Sequence, residues 1–599
     1  MDRWQEPPDL LVYKGFLAKP DVQKISGEGG IRTLVTVAGK SVFETDAFNH
    51  SATSPGGSDI ISSGPVTEKR PSRVLDMDIC HIIDYLSLPE AYPDPVDRVV
   101  VLQTHISVVF LAGTFAYKVK KPVALGFLDF STLERRFHFC HEEVRLNRRL
   151  APHIYLGVVP STRVDSRLMI EGTGETVEWA VKMVRLPDEA SLLDRLRRHL
   201  VTTSDMISLA RFLADFHQHA EHSPLIAAFG RFEVVAGNAR ENYAQAESQV
   251  GCTISRAVLD RLSSLTEETL DRLRPLLEDR ALRGVPRDTH GDLHLDHIYY
   301  DPSRPSPDNL FAIDCIEFNE RFRYADPIAD IAFLLMDLQF HQRYDLASVL
   351  TTAYLSAAGD TEGEQLLPFY IAYRAAVRAK VEGLELLETE VPAVEREAAL
   401  RRARAHWLLA LGQLEEASQR PALLLVGGLS GTGKSTLARA LAESAGFQII
   451  RSDVIRKTLA GLDAESPGGP ELYTTEWNER TYEECRRLAQ RAIFEGQRVI
   501  VDATFRHESS RQAFLDLAHS WCVPVILLMC EANSEVVRAR LAGRTGDASD
   551  ATWDVYTRQQ ATWEPPSPGT AAALVTISTN PGCNPTQKAL QTLRDRKLL

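Results

Sequence analysis

The stretch Gly428-Leu429-Ser430-Gly431-Thr432-Gly433-Lys434-Ser435 decides the fold of the last third of this chain. It matches GxxxxGK[ST] in full. An apolar run, Ala422 to Val426, precedes it. An amphipathic segment with Leu437, Leu441 and Ala445 follows and is stopped by Gly446. In a strand, glycine-rich loop and helix in that order, backbone N–H groups turn inward onto phosphate oxygens and the helix N-terminus adds its positive dipole end. The predicted nucleotide contacts are Gly428, Leu429, Ser430, Gly431, Thr432, Gly433, Lys434, Ser435 and Thr436. Lys434 is expected to reach the β- and γ-phosphates, and the Ser435 hydroxyl to bind Mg²⁺.

Downstream residues narrow the chemistry. A strand-like run, Phe447 to Ile450, ends in Arg451-Ser452-Asp453, with Arg456-Lys457 after it. Carboxyl ends of strands in open α/β sheets face the ligand crevice. Asp453 is therefore expected to accept a hydroxyl proton from an acceptor and Arg456 to orient that acceptor. The run Arg498 to Val501 ends in Asp502, a candidate Mg²⁺ ligand. Arg538, Arg540 and Arg544 follow a further strand, and Arg540 and Arg544 are the expected transition-state cations. Residues 420–580 resemble small-molecule P-loop kinases of the gluconate kinase, shikimate kinase and polynucleotide kinase kind.

The second signal is His290-Gly291-Asp292-Leu293-His294. A carboxylate on a tight loop, a ligand five residues on, then a strand ending in Asp is a kinase catalytic-loop layout. Asp292 would take the proton of the attacking hydroxyl. Asp314, in Ile313-Asp314-Cys315-Ile316-Glu317, would hold Mg²⁺. His290 is read as stabilising the loop by hydrogen bonding.

Over 77–400 the sequence resembles the aminoglycoside phosphotransferase-like family, a branch of the protein-kinase fold with the motif HGDxHxxN. That resemblance implies a β-rich N-lobe, a hinge near Met183 to Leu186, a helical C-lobe and ATP in the cleft. It implies a strand lysine, Lys118, with Lys120 on the same strand face as the alternative. It implies a helix glutamate, Glu143, with Glu142 as alternate, on a helix expected from Ser131 to Leu150 with Ser131 and Glu134 as its capping box. His297 stands where the motif has its Asn metal ligand, and imidazole is a softer ligand than an amide oxygen. Thr104-His105-Ile106-Ser107 lacks the glycines of a phosphate-covering loop, which leaves backbone N–H groups and the Ser107 hydroxyl for that task. Asp330, after Asp326-Pro327, is expected to pair with the catalytic-loop backbone. Arg374, Arg378 and Lys380 are read as a solvated face or, alternatively, the lining of an acceptor pocket.

Residues 1–76 are rich in Gly, Ser, Thr and Pro and carry no helical or strand period, as a disordered tail would be. The stretch from Gly29-Gly30-Ile31-Arg32-Thr33 to His50-Ser51-Ala52-Thr53-Ser54-Pro55 also resembles the peptide produced when a tRNA gene is translated into a downstream gene. On that reading the natural protein starts near Met77.

The rest of the composition sets bounds. The 599 residues, 44% hydrophobic, fit several globular domains. A net charge of −14 disfavours nucleic-acid partners, which need clustered Lys and Arg. Eight cysteines without CxxC spacing point to reduced thiols, and no apolar run approaches the roughly 18 residues of a membrane span. A cytoplasmic protein is expected.

The fold expected is multidomain. An extension (1–76) precedes an α+β protein-kinase-like domain (77–416), with an N-lobe to about 185 and a C-lobe from about 186. An α/β P-loop domain with a parallel sheet (417–599) completes it. The domain order resembles a family of bacterial fusions named bifunctional aminoglycoside phosphotransferase/ATP-binding proteins. The function expected is ATP- and Mg²⁺-dependent phosphate transfer by both domains to hydroxyls of small molecules. The alternatives are a nucleotide-sensing first domain beside one active kinase, and polynucleotide 5′-phosphorylation.

Overall fold

The structure, a computed structural model, describes residues 78–164, 167–305, 309–386, 392–466, 468–543 and 549–599. The expected extension 1–76, Met77 and Arg544 lie outside the described residues.

The first sheet is antiparallel throughout. Its six strands stand side by side as Val99–Gln103, Ser107–Ala112, Phe115–Lys120, Glu175–Val184, Tyr155–Val164 and Arg167–Ile170. The strand carrying the lysines is interior, so its register is fixed from both sides: Lys118 lies opposite Val109 and Val181. The helix Leu133–Asn147 buries Cys140, Glu143, Val144 and Asn147, the i, i+3, i+4, i+7 stripe of one helix face. Its cap is Thr132, whose hydroxyl accepts from the Arg135 N–H. The expected capping box of Ser131 and Glu134 is corrected by one position, because the Ser131 hydroxyl binds the Asp129 carboxylate instead, at 2.6 Å. The helix also ends at Asn147, before the expected Leu150.

After Val184 the chain is helical, with its longest helix at Arg256–Leu282. The helix Pro327–Phe340 reads IADIAFLLM and is buried nearly all round, which makes it central to the lobe. Two short antiparallel ladders, Arg287–Asp288 with Tyr324–Ala325 and Ile298–Tyr300 with Leu310–Ala312, bracket the loop from Thr289 to His297. Arg280, itself buried, locks this lobe by forking onto both carboxylate oxygens of Asp326 at 2.7 and 2.9 Å.

The last sheet is parallel. Its order is Gln448–Arg451, Arg498–Asp502, Ala422–Gly427, Val525–Glu531, Leu574–Ser578. The run ALLLVG is buried at every position because helices cover both faces. The chain adds the next two strands on one side of this central strand and then crosses to add the last two on the other, and the crevice at its carboxyl end is where the glycine-rich loop begins. Trp407, Leu408 and Leu411, from the helix Ala393–Leu414, share one apolar cluster with Leu423, Val499 and Trp521 of this domain. Arg261 adds hydrogen bonds to Glu415 (2.9 Å) and to the Gly496 carbonyl (2.8 Å).

Candidate active sites

The loop around Asp292 is held from behind. Gly291 has φ +87°, and a Cβ there would lie 2.9 Å from the Phe322 carbonyl oxygen, so only glycine fits. Asp330, fully buried, accepts from the N–H groups of His290 (2.8 Å) and Gly291 (2.9 Å), and His217 meets it at 3.2 Å. The His290 ring contacts the Ile313 carbonyl at 2.8 Å, and burial pulls its pKa down to about 4. Asp337 accepts from the Leu295 N–H at 2.9 Å.

Burial alone would raise the Asp330 pKa, but the His217 hydrogen bond and the charges of His217, His290 and Arg374 bring it down to about 2. A depressed carboxyl pKa gives stability that is full above the ordinary value of about 4 and is lost as pH falls through the folded value. Asp330→Asn is therefore expected to destabilise the fold at neutral pH by about 3–5 kcal/mol. Its gap to the wild type should narrow as pH drops from 4 to 2. Urea unfolding at stepped pH measures both.

Asp292 points into the cleft, with its side chain 34% exposed. Burial pushes its carboxyl up. His294, 3.5 Å away, then His297 and Arg378 outweigh that and hold it well below the usual carboxylate range. The same pairing raises the His294 pKa against the effect of burial. Asp314 sits on a left-handed turn, φ +65°, a conformation a non-glycine residue adopts only when its neighbours impose it. They do: the Asp314 N–H donates to the Tyr155 hydroxyl (3.1 Å), and the Cys315 N–H to Asn147 Oδ1 (2.9 Å).

The two candidate lysines differ in their partners. Lys118 Nζ lies 2.5 Å from Asp314 and 2.9 Å from Glu143. Lys120 Nζ lies 2.7 Å from Glu143 and also binds Glu317. Both lysines thus use Glu143, but Lys118 is the one linked to Asp314. Lys120 is 1% exposed. Glu142 pairs with Arg145 on the outside of the helix at 2.7 Å. Lys120→Met would leave the buried Glu317 without its cation and Glu143 with Lys118 alone, and is expected to cost about 3–5 kcal/mol in a denaturant titration. Lys118→Met keeps Lys120 on Glu143. It should change unfolding far less and show instead as weakened nucleotide binding by calorimetry.

Two expectations are corrected here. Arg374, Arg378 and Lys380 do not form a solvated face. The Arg374 Nε donates to the Ala329 carbonyl (3.1 Å), Lys380 to Asn242 and Gln245 (2.9 and 2.7 Å), and Arg378 is felt at Asp292. The Ser107 hydroxyl, expected to help cover phosphate, is buried and bonded to Thr104 Oγ1 at 3.0 Å. At the expected hinge, the Val184 and Arg185 N–H groups donate to the Ile154 and Thr114 carbonyls.

The second site is the glycine-rich loop. A Cβ on Gly428, at φ +131°, would stand 2.4 Å from the Cys530 carbonyl, so the loop leaves its strand only with glycine there. Lys434 opens the helix Lys434–Ala445, and its Nζ folds over the loop to the Leu429 carbonyl at 3.1 Å. Asp502, on the neighbouring strand, is buried beside the Ser435 hydroxyl. Burial and Asp453 push its carboxyl pKa up, and the Lys434 charge and the Ser435 hydrogen bond oppose them. A hydroxyl and two carboxylates beside the phosphate loop are oxygen donors of the kind a hard divalent ion takes. Asp453 lies in the first turn of the helix Ser452–Leu459, whose N-cap is Arg451, so it is not spent on capping.

The cations of this domain depart from expectation. Arg456, expected to orient an acceptor, is buried and donates to the Leu472 carbonyl at 2.8 Å, stacked on Tyr473. Lys457 and Tyr473 reach Asp550 at 3.3 and 2.9 Å, so this patch ties down the segment before Thr474. Arg540, expected over the phosphates, spends its guanidinium on Gly431 and Thr579 carbonyls and the Thr579 hydroxyl. A guanidinium engaged by these oxygens braces the loop from its carbonyl side. Arg538 stacks on Trp553. One loop contact carried no sequence signal: Gln559 Oε1, 129 residues away, accepts from the Ser430 N–H at 3.0 Å. Tyr155, Asn147, Glu317 and Thr579 were likewise invisible, because each works through a partner distant in the chain.

The fold defines a two-domain protein, with a domain of the protein-kinase-like fold followed by a P-loop domain with a parallel sheet. The model of the AAA domain family matches residues 423–566. The chain is 35% identical over 471 residues to the uncharacterized protein Rv2004c of Mycobacterium tuberculosis, which spans 78% of this chain and 90% of that protein. The chain belongs to the same family as that protein. Among solved structures it is similar to aminoglycoside 2'-phosphotransferase-IIIa in its GDP complex (15% identity, 55% of this chain and 97% of that one, TM-score 0.35). It is also similar to a gluconokinase from Sinorhizobium meliloti (21% identity, 30% of this chain and 93% of that one, TM-score 0.23). No helix of the described residues is long and apolar enough to cross a membrane.

Proposed function

We propose that the chain is a bifunctional ATP-dependent phosphotransferase, each domain moving the γ-phosphoryl group of ATP to a hydroxyl of a small molecule in the cytoplasm. The observation that carries the reading is an ionised, partly exposed Asp292 on its loop together with the chain of charges that joins Lys118 on its strand to Glu143 on its helix and to Asp314 on its turn. Asp292 takes the proton as the acceptor oxygen forms its bond to the γ-phosphorus. The bond from that phosphorus to the β–γ bridging oxygen breaks, and ADP leaves with the electron pair. Lys118 neutralises the α- and β-phosphates. In the second domain Asp453 takes the corresponding proton, and Lys434 follows the charge that grows on the β–γ bridge. A divalent ion would supply charge neutralisation between the phosphates there, held by Ser435 and Asp502.

One observation favours a second reading. His297 in the Asn position is a reason to consider the first domain a nucleotide sensor for the second. The net charge of −14 argues against polynucleotide ends as acceptors. The test is a mass-spectrometric screen of a metabolite and aminoglycoside panel with ATP, comparing the wild type with Asp292→Asn and Lys434→Ala. Loss of a different product in each variant supports two activities. Unchanged products in Asp292→Asn, with nucleotide still bound, would leave the sensor reading.

A further inference from the structure

We infer that the ion position beside Asp314 selects a first-row transition ion, Mn²⁺, over the Mg²⁺ that a kinase-like site ordinarily takes. The inference rests on reading 77–416 as a nucleotide-using kinase fold, but the ion can be measured without nucleotide or acceptor.

The His297 ring is aimed and its tautomer set. Its Nδ1 lies 2.8 Å from the Asp292 carbonyl oxygen, and a carbonyl can only accept, so Nδ1 carries the hydrogen and Nε2 keeps its lone pair. An Nδ1–H held by a backbone carbonyl is the arrangement that orients a metal-ligating imidazole. The ring also lies against His294, centroids 3.8 Å apart, which limits its rotation. Nε2 then stands 3.8 Å from Asp314 Oδ2. Adjacent ligands of an octahedral ion at bonds of about 2.1 Å lie about 3 Å apart, so a small rotation of the Asp314 carboxylate toward the fixed ring would bring both atoms onto one ion. Asp314 is prepared for the same division of labour. Its Oδ1 is taken by Lys118, its backbone N–H by the Tyr155 hydroxyl, and Oδ2 is the oxygen turned to His297.

A carboxylate alone suits Mg²⁺. An imidazole nitrogen does not, because Mg²⁺ is hard, demands near-ideal octahedral oxygen ligation and gives up its waters reluctantly. A divalent first-row ion takes nitrogen and carboxylate oxygen together, and Mn²⁺ does so while still accepting water and phosphate oxygens at its remaining positions. The replacement of an amide oxygen by this nitrogen therefore changes which ion the site prefers, and need not disable the site.

The test uses the full chain with Mn²⁺ alone. In the wild type, pulsed electron spin resonance should show Mn²⁺ coupled to ¹⁴N, and Mg²⁺ should displace that population only at an excess on the order of 100-fold. His297→Asn and His297→Gln should both lose the nitrogen coupling, and the Mg²⁺ excess needed for displacement should fall by about tenfold or more. Circular dichroism checks that each variant is folded. Two results would overturn the inference. One is wild-type Mn²⁺ without nitrogen coupling, which places the ion at Ser435 and Asp502, where neither ligand has nitrogen. The other is coupling that survives both His297 variants and disappears in His294→Gln. That would place the ion in the Asp292–His294 part of the cluster, whose ligand atoms, with those of His297, lie within 4.8 Å of one another. If nitrogen-coupled Mn²⁺ is found but no nucleotide binds to the first domain, the ion assignment stands and the phosphotransferase reading of that domain falls.

Discussion

Lys434→Ala should lower phosphoryl transfer by the P-loop domain by about 10²–10³-fold, the usual cost of removing one preorganised cation or donor from developing charge. The lysine stands at the first position of its helix with its ammonium folded back over the loop to the Leu429 carbonyl. That contact is one an incoming phosphate would replace. The loop N–H groups do not depend on it, nor does the Ser435–Asp502 pair, so the variant should still bind nucleotide. The loss should fall mainly on kcat. The variant leaves Arg451, 3.5 Å from Asp502, in place but removes the charge that does most to lower the Asp502 carboxyl pKa, which burial already pushes up. Divalent-ion affinity should therefore fall at mildly acidic pH before it falls at neutral pH, which calorimetry with the ion and a non-hydrolysable ATP analogue would show. Products made by the first domain should be unchanged, since its charged chain shares no residue with this loop.

Asp292→Asn is the counterpart for the first domain, with an expected loss of about 10²–10⁴-fold in kcat and little change in nucleotide affinity. The substitution keeps the shape and the loop, because the backbone is fixed by Gly291 and by the Asp330 carboxylate rather than by the Asp292 side chain. What it removes is the proton acceptor and the partner of His294. Without that partner the His294 pKa should drop, since the Asp292 charge is the largest influence holding it up against burial. Nuclear magnetic resonance titration of the imidazoles would detect the drop in the absence of any substrate. A variant with lowered His294 pKa, intact nucleotide binding and unchanged products would mean that Asp292 is a structural charge and that the first domain senses nucleotide.

The two domains were not equally legible. In the P-loop domain every primary signal is local: an apolar strand, the loop glycines, and a lysine and serine opening a helix all lie within the fourteen residues from Ala422 to Ser435. The arginines of that domain were misjudged, because a guanidinium near a phosphate loop looks the same in sequence whether it faces the phosphates or, as Arg540 does, the loop's carbonyls. In the kinase-like domain the catalytic loop was legible for the same local reason, while the strand lysine was not. Alternation puts Lys118 and Lys120 on one face, and both reach Glu143, so only the position of Asp314, 196 residues from Lys118, separates them.

The sequence by itself determined the two glycine-governed loops, the carboxylate at 292 and the lysine at 434 that they carry, and the order of a mixed two-lobed domain before a parallel-sheet domain. These are fixed by steric rules and hydrophobic periods that act over a few residues. Only the tertiary structure decided which lysine meets Asp314, that the Arg378 charge is felt at Asp292, that Arg456 and Arg540 are braces, and that His297 turns Nε2 toward a carboxylate. Each of these depends on where a long polar side chain ends. That end point is set by charges and carbonyls brought close by folding, and no periodicity in the chain encodes it.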